Sequence, residues 1–179
     1  VARMNDLKPE QKAAATTLKL TGQLSTSGNS DFRQLRDLCY QLRHVDLSLA
    51  DCENIPNNAF HSRPVLETIV LPTQVKSIGS QAFFACHSLR NITLPKSVTR
   101  VGDAAFSSCE NLKEITIEGN PMLGEFAFAR LKGLRTVRVN AAEPPVAAVS
   151  AFEGIDRKKV KLIVPRGSEL KYRKAAGWS

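Results

Sequence analysis

The sequence predicts an α/β solenoid: a right-handed stack of about seven parallel strands, with short helical turns on the convex side and irregular caps at both ends. Two observations predict it, namely an Ala-Phe dipeptide that recurs at a nearly constant spacing and aliphatic columns that recur in the same frame. The phenylalanines of the dipeptide are 23, 23, 22 and 24 residues apart, at Phe60, Phe83, Phe106, Phe128 and Phe152. In such a repeat protein each unit buries its apolar side against its neighbours, so Phe60, Phe83, Phe106 and Phe128 should line up inside the stack.

Each unit contains a strand with the pattern Leu-x-x-Ile-x-Leu or a close variant. The columns are Leu66, Ile69 and Leu71; Leu89, Ile92 and Leu94; Leu112, Ile115 and Ile117; and Leu134, Val137 and Val139. The last two members lie two residues apart, which is the period of a strand with one buried face. Pro72 and Pro95 follow two of the strands and end them, because proline has no N–H to donate to a neighbouring strand.

The rest of each unit predicts a glycine turn followed by one turn of helix. A further aliphatic column precedes the dipeptide at Ile55, Ile78, Val101 and Leu123, and a glycine follows the last three. Ala82, Phe83 and Cys86 then lie at positions i, i+1 and i+4. This spacing favours a single helical turn packed on the convex side.

The strand columns continue toward the N-terminus, through Leu42, Val45 and Leu47 to Leu18 and Leu20. Residues 31–40 have helical spacing, with Asp31 as the predicted N-cap. A short helix over residues 4–15 is expected to cover the edge of the first strand.

Toward the C-terminus, Leu162 and Val164 predict the last strand, and residues 171–178 are expected to cover its edge. Trp178 is interpreted as a plug for the last repeat, with a ligand-stacking platform as the alternative. The chain should form a single domain over residues 1–179. The N-terminal cap and first units fill 1–54, the regular 22–23-residue repeats 55–140, and the last unit with its cap 141–179.

The repeat resembles a known family. The run from Ile78 to Val98, Ile-Gly-x-x-Ala-Phe-x-x-Cys-x-x-Leu-x-x-Ile-x-Leu-Pro-x-x-Val, is similar to the BspA-type leucine-rich repeat of bacterial surface proteins. Arg63-Pro64 departs from this pattern at the cysteine position of one unit, and the 118–126 stretch is one residue short. The resemblance implies a leucine-rich-repeat solenoid in an extracellular or cell-surface protein, with adhesion to host matrix proteins as one role.

The positive charge of the chain is concentrated at one end. Of the net +8, residues 157–179 carry +7, with eight basic residues against one acidic residue. A near-neutral body does not predict specific binding to nucleic acid. Two interpretations of the basic end stay open: a solvated cap that protects the last strand's edge, and a patch for anionic partners such as teichoic-type polymers, acidic glycans or a lipid surface.

Targeting signals are not evident in the sequence. No run of roughly 18 apolar residues predicts a transmembrane segment. The first six residues lack the apolar segment of a signal peptide.

The cysteines and histidines predict neither a metal site nor a catalytic site. Cys39, Cys86 and Cys109 each precede a column leucine by three residues, so they share one repeat position and should be buried free thiols. Cys52 lies outside this frame and has no assigned role. The sequence contains no Cys-x-x-Cys or His-x-x-x-His pair and no Gly-x-Ser-x-Gly motif. We therefore predict a protein that is not an enzyme and that has no catalytic residue, metal or cofactor.

The predicted recognition surface is the concave face of the strands, where solenoids usually bind. Strand alternation assigns to it His44, Asp46, Thr68, Val70, Asn91, Thr93, Glu114, Thr116, Thr136 and Arg138. This face is polar and lacks the aromatic anchors of tight interfaces. The predicted function is a monomeric, non-enzymatic binding or adhesion module for a protein or glycan partner, such as a host matrix protein. The alternative is a structural spacer or scaffold that presents other domains.

Overall fold

The computed structural model describes residues 6–26 and 30–178, and in these the chain winds into a stack of coils. Among the described residues three α-helices lie in the two end regions, α1 (Pro9–Ala14), α2 (Asp31–Asp37) and α3 (Glu169–Lys174), and a short 3-10 helix spans Arg157–Lys159. The strands are β1 (Thr17–Gln23), β2 (His44–Asp51), β3 (Asn54–Ile55), β4 (Thr68–Val70), β5 (Ser77–Ile78), β6 (Asn91–Leu94), β7 (Arg100–Val101), β8 (Glu114–Ile117), β9 (Met122–Leu123), β10 (Thr136–Val139) and β11 (Lys161–Ile163). The predicted stack of parallel strands is confirmed.

Seven strands, one from each coil, form what we call the main sheet: β1, β2, β4, β6, β8, β10 and β11. All its pairings are parallel, and their register aligns the aliphatic columns, as in the pairs Ile92–Ile115 and Ile115–Val137. Along β6, β8 and β10 exposed and buried residues alternate, which is the pattern that the sequence predicts. The aliphatic members point into a single continuous core.

The main sheet has a seam between β4 and β6. Strands β1, β2 and β4 form one ladder, and β6, β8, β10 and β11 form another. Across the seam the amide of Arg90 donates to the carbonyl of Glu67 at 3.2 Å. The seam therefore has fewer backbone hydrogen bonds than the joins on either side of it.

A second sheet, β3, β5, β7 and β9, was not predicted as a separate element. Each strand has two residues and buries one of them, so the sequence offers no alternation to recognise. Beside this second sheet, the backbones of adjacent coils approach each other closely at two glycines. A Cβ on Gly79 would lie 2.5 Å from the amide nitrogen of Asn57, and one on Gly102 would lie 2.6 Å from that of Ser80.

The predicted helical turn at Ala82, Phe83 and Cys86 is wrong. The segment is a non-helical turn, and its alternate amides donate to the next coil instead of along a helix axis. The amide of Phe83, for example, donates to the carbonyl of Ala105 at 2.8 Å. These bonds form a third set between coils, which we call the turn ladder.

Left-handed backbone conformations make the turn ladder possible. In four successive coils a non-glycine residue with positive φ stands on each side of the repeated Ala-Phe segment, at Asn58 and Ser62, Gln81 and Ala85, Ala104 and Ser108, and Phe126 and Arg130. Such residues interrupt a helix and redirect every second amide. None of the eight is glycine, so the repeat pattern did not predict this conformation.

The phenylalanines form a buried stack through the core, as predicted. From Phe60 to Phe152 successive ring centroids are 5.2, 4.9, 5.2 and 5.5 Å apart, with interplanar angles of 5–15°. Phe32 joins edge-on at 6.1 Å. Trp178 closes the other end, 5.1 Å from Phe152, and its indole N–H donates to the carbonyl of Pro145. Trp178 is thus a plug in this structure.

The N-terminal cap differs from the prediction in its boundaries. The helix predicted over residues 4–15 is observed as α1, and residues 4 and 5 lie outside the described part of the chain. Asp31 is not the N-cap of α2: the hydroxyl of Ser30 accepts from the amide of Arg33, and Asp31 is the first helical residue. The Asp31 carboxylate instead accepts from the amide of Ser25 and so fixes the preceding loop.

Removing one ring from the phenylalanine stack should destabilise the protein strongly. Phe106 is fully buried between two stacked rings, so Phe106→Ala should lower the free energy of unfolding by about 3–5 kcal/mol. Phe126→Ala is the matched control, because Phe126 is 39% exposed, and its cost should be below about 1 kcal/mol. Equal losses for the two variants in denaturant titration would contradict a stacked core.

Replacing a left-handed alanine by glycine should stabilise the protein. Ala104 has φ 51°, a conformation that costs an L-residue roughly 1–2 kcal/mol, whereas glycine's extra unfolded-state entropy costs roughly 0.5–1 kcal/mol. Ala104→Gly should therefore raise the free energy of unfolding by about 0.5–1 kcal/mol. The neighbouring Ala105→Gly, at a buried position outside the left-handed set, should lower it. A loss of stability in Ala104→Gly would argue against the turn geometry.

Candidate interaction surface

The ten residues predicted for the recognition surface all lie on the solvent-facing side of the main sheet, which we call the main-sheet face. None of them is buried. Within each ladder the strand register aligns them in rows: His44 with Thr68 and Asp46 with Val70 before the seam, and Asn91, Glu114 and Thr136 beside Thr93, Thr116 and Arg138 after it. Neighbouring strands are about 4.8 Å apart, so each row presents side chains at a regular short spacing.

The N-terminal half of the main-sheet face is occupied by its own contacts. Lys19 Nζ lies 2.8 Å from Asp46 Oδ2, and the amide of Ser48 donates to Asp46 Oδ1 at 2.9 Å. The hydrogen bond from Lys19, followed by those from Ser48, lowers the pKa of Asp46 to about 2. His44 Nδ1 and Thr68 Oγ1 are hydrogen-bonded at 2.9 Å. These side chains stabilise one another and are less available to a partner.

An ion-pair bridge spans the seam beside these rows. The Glu67 carboxylate contacts Arg43 Nη1 at 2.8 Å through one oxygen and Arg90 Nη2 at 2.7 Å through the other. The hydrogen bond from Arg43 is the main reason that the pKa of Glu67 is lowered. Since Arg43, Glu67 and Arg90 come from three successive coils, the bridge links the two ladders of the main sheet.

The C-terminal half of the main-sheet face is different. Six of its side chains make no hydrogen bond or ion pair with any described residue: Asn91, Thr93, Glu114, Thr116, Thr136 and Arg138. They offer an amide, three hydroxyls, a carboxylate and a guanidinium on one face. Such a set can donate and accept hydrogen bonds with a polar partner. Val70, 50% exposed, is the apolar member beside them.

The four cysteines are structural in this fold. All are free and buried, as predicted for Cys39, Cys86 and Cys109. Cys86 and Cys109 donate to the carbonyls of Phe60 and Phe83 in the preceding coil, at 3.1 and 3.0 Å. Burial raises the pKa of the Cys39, Cys52 and Cys109 thiols, which keeps them protonated at neutral pH.

Arg63 has a structural role that the sequence did not predict. It stands at the cysteine position of its repeat, it is buried, and its guanidinium donates to the carbonyls of Arg36 and Cys39 in the preceding coil. Burial lowers the pKa of Arg63 from its usual value. Cys86 and Cys109, at the same position of later repeats, also donate to carbonyls one coil back. The position of Arg63 in the repeat could therefore have indicated that its side chain is buried and bonded to the preceding coil.

Within the described ranges, 6–26 and 30–178, no three His, Cys, Asp or Glu side chains are grouped so that they could hold a metal ion. In the same ranges no helix has the length and apolarity needed to cross a membrane. One polar cavity of about 410 Å³ lies beside Arg36, His61 and Arg63. A larger, mainly apolar cavity of about 580 Å³ lies at the C-terminal end, beside Leu162 and Trp178.

Comparison with known proteins supports the architecture. The family model described as the BspA-type leucine-rich repeat region matches residues 53–162 in six copies. A leucine-rich-repeat protein of T. pallidum is similar over 69% of this chain and 58% of its own, with 25% identity and a TM-score of 0.54. No curated protein matches.

Two further solved structures share the fold. The pneumococcal vaccine antigen PcpA is similar over 86% of this chain and 37% of its own, with 22% identity and a TM-score of 0.67. A leucine-rich-repeat protein of Bacteroides ovatus is similar over 86% and 43%, with 20% identity and a TM-score of 0.55. The chain thus spans less than two thirds of the length of each of these relatives.

The thiols should react only when the protein unfolds. We expect none of the four cysteines to react appreciably with a thiol reagent at pH 8 in the native protein, because all are buried, and all four to react in denaturant. Ellman's reagent gives the time course, and mass spectrometry of the unreduced protein tests for a bond. Rapid native labelling, or a Cys86–Cys109 crosslink, would contradict a structural role.

Proposed function

Because the chain belongs to the BspA-type leucine-rich-repeat family, we propose that it is a non-enzymatic binding module of a bacterial surface or secreted protein. It recognises a protein or glycan partner on the C-terminal half of the main-sheet face. The family supports the coarser statement, that this is an interaction or scaffold module. The partner class, the location outside the cell and the choice of face are our proposal.

One observation carries the choice of face. Six polar side chains on β6, β8 and β10 have no partner within the described part of the chain, whereas Asp46 and His44 are tied to their neighbours. Unpaired groups on a rigid, regular sheet can bind a partner without first breaking internal contacts. The face is also preorganised, because three sets of backbone hydrogen bonds link the coils below it.

The composition of this face suggests weak contacts that repeat. It has no tyrosine or tryptophan, which dominate the binding energy of tight protein interfaces. A single contact should therefore have a dissociation constant of about 1 µM or weaker, and several copies on one surface would add strength through avidity. Adhesion to a host matrix protein, which presents many copies of one site, is compatible with such an arrangement.

A spacer or scaffold role is the second candidate. The continuous core and the three sets of hydrogen bonds between coils favour a stiff body that holds other domains apart. The two candidates differ in one respect: a spacer does not depend on the chemistry of the main-sheet face.

Binding to a panel of host matrix proteins and glycans separates the candidates. The chain is displayed as monomer and as tetramer, and each hit is measured by surface plasmon resonance. For a true partner, Thr116→Arg should weaken binding about tenfold, because it places a large cation at the centre of the face. His87→Arg introduces the same side chain at an exposed turn and should change nothing. No tetramer binding, or equal effects of the two variants, would favour the spacer.

A further inference from the structure

At the C-terminal end Trp178 covers the phenylalanine stack, but an aliphatic column of the main sheet is left open. Leu162 on β11 is the last member of an aliphatic column in the main sheet, paired in register with Val137. Leu162 is 38% exposed, whereas none of the earlier members exceeds 8%: Leu18, Val45, Ile69, Ile92, Ile115 and Val137. An aliphatic position that is covered in six coils is therefore uncovered in the seventh.

A cavity of about 580 Å³ lies at this end. Its lining is mainly apolar, with Phe152, Leu162, Val164, Tyr172 and Trp178 among the residues that form it. Tyr172 and Trp178 are held in place by hydrogen bonds to the carbonyls of Ala141 and Pro145. This volume is large enough for one or two partner side chains.

The backbone of β11 is also open on one side. β11 pairs with β10, and no other strand among the described residues pairs with its outer edge. β1 at the N-terminal end likewise pairs with only one strand among the described residues, but its column residue Leu18 is 8% exposed, so no apolar column is open there. A free strand edge beside an uncovered apolar column is a surface on which an extended peptide can add as a further strand.

The charge around the opening restricts which peptide can add. Between residues 157 and 174 there are eight basic residues and one acidic residue, Glu169. Three of the basic side chains have partners: Arg157 donates to the carbonyls of Gly177 and Trp178, Lys159 pairs with Asp156, and Lys171 with Glu143. The other five have no partner among the described residues: Lys158, Lys161, Arg166, Arg173 and Lys174.

We propose that the open C-terminal end of the solenoid binds an extended acidic segment of a partner polypeptide, which pairs with the outer edge of β11. Strand alternation places one apolar side chain of the segment over Leu162 and into the cavity. Its neighbours face solvent, where carboxylates meet Lys161 and the surrounding cations.

A second copy of this chain is disfavoured as the occupant. Two C-terminal ends would bring two strongly basic segments together, and like charges repel. The N-terminal end of another copy presents no open column, because Leu18 is covered. The same lysine and arginine side chains thus oppose self-association and favour an acidic partner.

The direct test uses a synthetic peptide of about seven residues in which valine alternates with glutamate, the length of an ordinary strand. Trp178 is the single tryptophan of the chain and lines the cavity, so its fluorescence reports binding at this site. We expect saturable binding, a change in Trp178 emission, and weaker binding at higher salt. A peptide with lysine in place of glutamate should not bind.

Two variants locate the site, and a third is the control. Leu162→Glu should weaken peptide binding at least about tenfold, because it puts a carboxylate where the apolar contact forms. Lys161→Glu, at an exposed position that leaves the core intact, should also weaken it. Leu170→Glu makes the same change at a leucine that is 62% exposed on α3 and does not line the cavity, so binding should be unchanged.

Several outcomes would overturn the proposal. They are the absence of saturable binding, equal binding of the lysine peptide, or equal effects of Leu162→Glu and Leu170→Glu. Light scattering would identify a second copy as the occupant if it showed a dimer that Leu162→Glu, but not Leu170→Glu, converts to a monomer. Because none of these variants changes a residue of β6, β8 or β10, their failure would leave the proposed role of the main-sheet face untouched.

Discussion

The whole fold depends on one constraint: equivalent residues of successive coils must stack at the distance that separates hydrogen-bonded strands. A coil of about 23 residues is too small to have a core of its own, so each coil must offer the next one the same shape and the same backbone partners. The phenylalanine column meets this requirement, since its rings lie parallel and about 5 Å apart. The two sheets and the turn ladder meet it for the backbone, on three sides of the coil.

This constraint explains which features could be predicted from the sequence. Columns of Leu, Ile and Phe are visible because the side chain itself carries the information, and the main sheet, the buried thiols and the phenylalanine stack follow from them. The turn ladder could not be predicted, because its left-handed residues include alanine, serine and phenylalanine, which favour no such conformation alone. Hydrogen bonds between coils stabilise the strained backbone there, and those bonds exist only in the folded stack.

The predicted recognition surface shows a similar limit of prediction from sequence. Strand alternation was enough to place ten residues on the main-sheet face, and none of them is buried. It could not tell the paired half from the unpaired half, because the distinction rests on contacts such as Lys19–Asp46 between residues far apart in sequence. Arg63 is a further example: a charged side chain replaces cysteine within the core, and only its carbonyl partners in the preceding coil explain it.

The seam between β4 and β6 has a mechanical consequence. On the turn side the coils remain joined there, by bonds such as Phe60 amide to Ala82 carbonyl at 2.7 Å, and the second sheet is continuous through β3, β5 and β7. The coils are therefore held together less firmly on the main-sheet side at this point than on the other two sides. The Arg43–Glu67–Arg90 bridge is a side-chain contact across the seam, and salt screens it because its two arginines are exposed. The strength of this join thus depends in part on ionic strength.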